Sequence, residues 1–146
     1  MAESITFVVS GPPVAKARAR VVRTKEGRTF AYTPSKTRKY EAHARLCAQQ
    51  AMKGRSPIEG AVTIVMRASL PIPKSFSKRK TQAAMDQNVW HTKRPDLDNL
   101  IKSALDAASG IVFTDDSQVI GITASKFYSR QPALSVTVIE HSSEAA

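Results

Sequence analysis

The chain has 146 residues, 42% of them hydrophobic and 23% charged, a balance that fits one globular domain and excludes wholesale disorder. Lysine and arginine number 22 against 12 acids, so the formal charge is +10 and the expected partner is a polyanion, nucleic acid before an acidic membrane surface. No stretch approaches the roughly 20 apolar residues that span a bilayer, residues 1–15 lack a secretion-signal pattern, and the single cysteine, Cys47, excludes an internal disulfide and a cysteine-based zinc cage.

Residues 5–10 form a short β-rich run closed by the breaker Gly11-Pro12-Pro13. Residues 21–23 and 28–32 flank Lys25-Glu26-Gly27 and predict a hairpin. Pro34 and Ser35 open a helix that runs to about Lys53, with Tyr40, Ala44, Cys47, Ala48 and Ala51 on its apolar face and Gly54 as its stop. Val62, Ile64, Met66, Ala68 and Leu70 alternate with less apolar residues, the signature of a half-buried strand. Residues 71–95 are long and basic, which predicts a functional or disordered loop, with room for a short helix at 77–85. Trp90 reads as a packing residue of that loop rather than a base-stacking platform.

Residues 96–109 predict the clearest helix, with Gly110 at its C-terminal stop. Residues 112–114 and 118–127 predict strands on either side of Asp115-Asp116-Ser117. Residues 133–140 alternate again and are expected to pair with the preceding strand through a turn at 129–132. The expected architecture is α+β or mixed α/β, one sheet with two main helices packed on it, in a single domain spanning 1–146 with a frayed tail at 141–146.

Charge is unevenly spread. Residues 16–94 hold 19 lysines and arginines against 4 acids, whereas residues 95–146 hold 3 against 7. Five of those late acids, Asp96, Asp98, Asp106, Asp115 and Asp116, fall within 21 residues. His43, His91 and His141 are too widely spaced for a local metal motif. On the helix, Leu97, Ile101, Ala104, Leu105 and Ala108 share one apolar arc at about 100° per residue, while Asp98, Lys102 and Asp106 form a polar stripe beside it. Asp96 stands at the helix mouth near Asp98, and Asp115-Asp116 arrives later at a strand–turn junction. Several carboxylate oxygens with room for water and phosphate suit Mg²⁺. The same residues admit plainer roles: Asp96 as a helix cap, Asp98 and Lys102 as an i,i+4 ion pair, Asp106 as an ordinary helix acid, and Asp115-Asp116 as a turn.

Together these features resemble the RusA family of Holliday junction resolvases. The likeness lies in Arg-Pro-Asp-Leu-Asp-Asn-Leu-Ile-Lys (94–102), Leu105-Asp106-Ala107, Gly110-Ile111-Val112 and Asp115-Asp116-Ser117-Gln118-Val119-Ile120. Gly-Pro-Pro-Val-Ala-Lys-Ala-Arg-Ala-Arg (11–20) is similar to that family's start, so the resemblance covers most of residues 5–140. It implies a homodimeric, cytoplasmic and nucleoid-associated endonuclease, often prophage-borne, that needs Mg²⁺ (or Mn²⁺) and resolves four-way and other branched DNA by symmetric nicks. Carried over by motif, the catalytic and metal-holding carboxylates fall on Asp96, Asp98 and Asp116, the functional lysine on Lys102, and Asp115 is a further metal ligand. The expected DNA contacts are Lys16, Arg18, Arg20, Lys78, Arg79, Lys80, Lys93 and Arg94. Two other classes stay open on the residues alone: a non-catalytic DNA-binding module, and a small-substrate Mg²⁺ phosphohydrolase.

Overall fold

The computed structural model describes residues 3–16, 20–32 and 34–142, so Arg18 and the last four residues of the expected tail lie outside it. In chain order the elements are β1 (Ser4–Ser10), β2 (Arg20–Arg23), β3 (Thr29–Tyr32), α1 (Ser35–Met52), β4 (Val62–Pro71), α2 (Lys78–Met85), α3 (Leu97–Ala108), β5 (Val119–Ser129) and β6 (Ala133–Glu140). A 3₁₀ turn at Asp116–Gln118 leads into β5. The fold is α+β, as the patterning predicts.

Four strands form one sheet in the order β1-β6-β4-β5, with β4 and β5 parallel and the other pairs antiparallel. The hairpin β2–β3 forms a separate two-stranded ribbon around Gly27, whose φ of +81° places it in the left-handed region that glycine adopts without strain. Alternation sorts the sheet into two faces. Ile5, Phe7 and Val9 of β1, Ile64 and Met66 of β4, and Leu134, Val136 and Val138 of β6 are buried on one face. There α1 lays Ala44, Ala48 and Met52, small or flexible side chains at helical spacing that let the helix approach β1 closely. Beside α1, α3 buries Leu100, Ala104, Ala107 and Ala108 in the same core. Thr6, Val8, Arg67, Thr123 and Ser125, on the other face, stay exposed.

Three expectations are corrected. First, β5 and β6 do not form a hairpin: β6 crosses over β4 and pairs with β4 and β1. β4 and β6 carry fully buried apolar rows and take the centre, whereas β5 carries Lys126 and a partly exposed Ile122 in its inward register and takes an edge. The link at 130–132 need only step across two strand spacings, about 10 Å. Second, residues 112–114 form no strand. Val112 and Phe113 are buried in a tight turn closed by the Gly110 amide on the Phe113 carbonyl (2.7 Å), and Phe113 makes only isolated bridges to Ile58 and Ser109. Third, Trp90 does not pack in its loop: it is 77% exposed. Its neighbour His91 takes the inward position against Tyr128, ring centroids 4.8 Å apart, and turns Trp90 outward.

Leu100 is the fully buried side chain that seats α3 on the sheet. Leu100→Ala should cost about 2–5 kcal/mol of stability, read from the denaturant midpoint at unchanged slope.

Candidate active site at the mouth of α3

Asp96 is the N-cap residue of α3, with extended backbone (φ −72°, ψ 146°), yet its carboxylate makes no capping hydrogen bond. Asp98, in the first turn, accepts the Asn99 amide on Oδ1 at 2.9 Å. Both are exposed, and the partial positive charge of a helix N-terminus favours two acids there. Lys102, one turn further on, is exposed and forms no ion pair with Asp98; among the described residues the ion pairs are those of Lys16. The cap bond and the i,i+4 pair, the plainer roles of Asp96, Asp98 and Lys102, are therefore not formed.

The loop that delivers Asp96 is fastened to β5. Lys126 points inward from the strand, and its Nζ donates to the carbonyls of Lys93 (2.7 Å) and Pro95 (3.0 Å). Gln87 Nε2 reaches the Tyr128 carbonyl at 3.3 Å, and the Asn88 amide bonds the Ala83 carbonyl at 2.8 Å. His91 is held below the ordinary histidine range, first by burial and then by the nearby charge of Lys126, which favours its neutral form. Sequence reasoning missed Lys126. Its signal was a lysine on the inward register of an alternating strand, where an apolar residue is expected.

Lys16, expected to meet DNA, bridges α1 and α3 and keeps part of its side chain exposed. Its Nζ contacts Glu41 and, at 3.1 Å, Asp106, and these acids, Glu41 foremost, keep its pKa raised. The arm before it runs along α3, with the Ser103 hydroxyl on the Val14 carbonyl (2.9 Å) and the Lys16 amide on the Asn99 carbonyl (3.2 Å). Arm and helix mouth flank an open hollow of about 370 Å³ lined by Ala15, Lys16, Arg94, Pro95, Asp96 and Asn99. Lys93, Arg94, Lys78, Arg79 and Lys80 are exposed nearby in the chain, with Lys80 over the Phe76 ring at 4.2 Å. Arg20 opens β2 on the separate ribbon.

Asp115 and Asp116 lie at the opposite end of α3. Asp115 Oδ2 accepts the Ser117 amide (2.9 Å), and its own amide donates to Gln118 Oε1 (2.7 Å). Gln118 Nε2 in turn bonds the Ile58 and Gly60 carbonyls, at the base of β4. Hydrogen bonding from Ser117 holds the Asp115 carboxylate below its usual range; both acids are exposed, Asp115 builds the turn, and among the described residues the Asp116 carboxylate makes no hydrogen bond or ion pair. The 12 residues of α3 span about 18 Å, and Val119 to Lys126 along β5 span about 23 Å. Asp116 therefore stands on the order of 20 Å from Asp96 and Asp98 in one chain. Accordingly, among the described residues no three His, Cys, Asp or Glu side chains are grouped to share a metal.

The pair at the helix mouth still suits magnesium. Mg²⁺ commonly takes one or two carboxylates and fills its octahedron with water and substrate phosphate. Among the described residues the Asp96 carboxylate makes no hydrogen bond or ion pair, and Asp98 keeps one oxygen clear of the Asn99 bond.

The family model described as "Endodeoxyribonuclease RusA" matches residues 10–139, and the chain belongs to that family. A relative from Bacillus subtilis (strain 168), named "Uncharacterized protein YqaN", is 34% identical over 140 residues, which cover 94% of this chain and 97% of the relative.

Removing the Lys126 ammonium would leave two carbonyls without their donor. Lys126→Met should cost about 1–3 kcal/mol, seen as a lower melting temperature and as faster amide exchange in residues 93–98.

Proposed function

As the chemistry of a RusA-family chain with this surface, we propose divalent-metal-dependent cleavage of branched DNA, four-way junctions above all, by a homodimer that makes paired nicks. The observation that carries this reading is the pair of exposed carboxylates, Asp96 and Asp98, set at a helix mouth beside exposed Lys93 and Arg94. A spread of 19 basic residues over 79 positions suits a long polyanion better than a small phosphorylated metabolite.

In this reading Asp96 and Asp98 would hold the metal, with Mg²⁺ preferred and Mn²⁺ an alternative. When bound, it supplies a water of lowered pKa and positive charge beside the phosphate under attack. The chain's own groups do the rest. Lys102 is free of Asp98 and available to offset charge that develops on the phosphate oxygens. Lys93 and Arg94 steer the backbone to the helix mouth, and Lys78, Arg79 and Lys80 extend the track, giving affinity without sequence information.

Asp116 belongs to the same motif but stands a helix length away, so we assign its contribution to the site of a second copy. A two-fold dimer would then serve two purposes. It sets one site on each of two opposed strands of a four-way junction, and it completes each site with the partner's carboxylate.

Asp→Asn at Asp96, Asp98 or Asp116 removes one charge while keeping size. Cleavage of four-way junctions in Mg²⁺ should fall by about two orders of magnitude or more, while junction binding in metal-free buffer persists. Mixing Asp98→Asn with Asp116→Asn protein tests the shared site, because each mixed dimer then has one intact site and should regain nicking. If mixing restores nothing, Asp116 acts within its own chain, and if Asp116→Asn alone cleaves as the parent does, Asp116 takes no part. If all three variants cleave as the parent does, the carboxylates only cap and turn. If the parent cleaves no DNA, with or without Mg²⁺, the nuclease reading falls.

The basic track predicts a steep fall of log affinity with log salt. Replacing Lys78, Arg79 and Lys80 with Ala should flatten that slope by about one for each phosphate no longer neutralised. An unchanged slope on filter binding would make the run a solvated face.

A further inference from the structure

Trp90 is the chain's single tryptophan and is 77% exposed, more than any other large apolar side chain among the described residues. Tryptophan normally hides most of its surface, so this exposure needs a reason. Looseness does not supply one. His91 is 9% exposed and packs at a tilt against the Tyr128 ring, Lys126 holds the Lys93 carbonyl, and the Asn88 amide is tied to Ala83, so the chain is braced on both sides of Trp90.

The surroundings select the partner. A protein-binding surface would continue the indole into an apolar patch. Here its exposed chain neighbours are Asn88, Thr92, Lys93 and Arg94. Residues 74–94 carry six lysines and arginines (Lys74, Lys78, Arg79, Lys80, Lys93, Arg94) against one acid, Asp86. An exposed planar ring on a basic segment fits a base, whose flat face stacks while its phosphates meet the charge. Continuous duplex has no free base face except at its ends, whereas a branch point interrupts the stack. Trp90 also lies six residues before Asp96, on the loop that delivers it.

We propose that Trp90 is a stacking platform for a base exposed at a DNA branch point, and that it gives the protein its preference for branched over linear DNA. This inference rests on the DNA-cleaving reading above and specifies how that site recognises its substrate.

Because the chain has one tryptophan, its emission reports on Trp90 without any label. The intact protein is titrated, in metal-free buffer, with a four-way junction, a fork and a hairpin-capped linear duplex of equal length. Emission should be quenched strongly by junction and fork and little by the capped duplex. Trp90→Ala should weaken junction binding by about 5- to 150-fold, the range typical for loss of one base–aromatic stack, and capped-duplex binding by less than about twofold. Trp90→Phe should restore most of the loss. An unquenched tryptophan on bound junction, equal quenching by capped duplex, or an unchanged junction-to-duplex ratio in Trp90→Ala would each overturn the proposal. So would emission that shifts with protein concentration alone, which would assign the ring to a second copy of the chain. A protein that binds no DNA ends both readings, whereas one that cleaves junctions with a silent tryptophan ends only this one.

Discussion

The ammonium of Lys126 is the fastening on which the proposed chemistry depends. A lysine on the inward register of a strand is costly unless its charge is satisfied, and here the carbonyls of Lys93 and Pro95 satisfy it. That single group fixes where the loop ends and where α3 begins. Buried Leu100 and the bond from the Lys16 amide to the Asn99 carbonyl hold the helix side of that junction, and Lys126 holds the loop side. With it, the helix mouth, the hollow beside Lys16 and the outward indole are tied to the sheet.

A second anchor on β5 gives the loop at 71–95 its shape. Tyr128, inward on β5, collects Phe76 (centroids 5.6 Å apart) and His91 from that loop. This aromatic cluster gives a polar segment enough buried surface to hold a shape. The cations of the segment are left facing solvent, where a polyanion can reach them.

Much of this was legible in the sequence, and the parts that were not share a cause. Alternation in residues 62–70 and 133–140, and the apolar arc beginning at Leu97, located β4, β6 and α3, because burial imposes its period on the side chains. Pairing order is a different matter. Nothing local distinguishes a β6 that turns back on β5 from one that steps across β4, since the decision lies in which strands can bury both flanks. Trp90 went astray similarly: hydrophobicity argued for burial, and the competing claim of His91 on the space beside Tyr128 is a tertiary fact. The carboxylate motif was plain in one dimension, but motif spacing carries no direction, and α3 runs between its two halves. Asp115 and Asp116 could not be told apart as residue types, and only the bonds to Ser117 and Gln118 separate the turn-builder from the free acid.

The sheet order has a consequence for how the chain can be made. β1 finds its hydrogen-bonding partner only in β6, so Ser4 pairs with Ile139, across almost the whole polypeptide. β4 likewise waits for β5 and β6, since both its edges are paired by segments synthesised later. During translation the emerging β1 and β4 are therefore apolar strands with open edges, and no stable half-sheet can form from the amino-terminal portion alone. Only once β6 has emerged can the sheet close, with β6 as an inner member. Until β6 is available, the excess of basic residues between 16 and 94 favours solubility of these open strands.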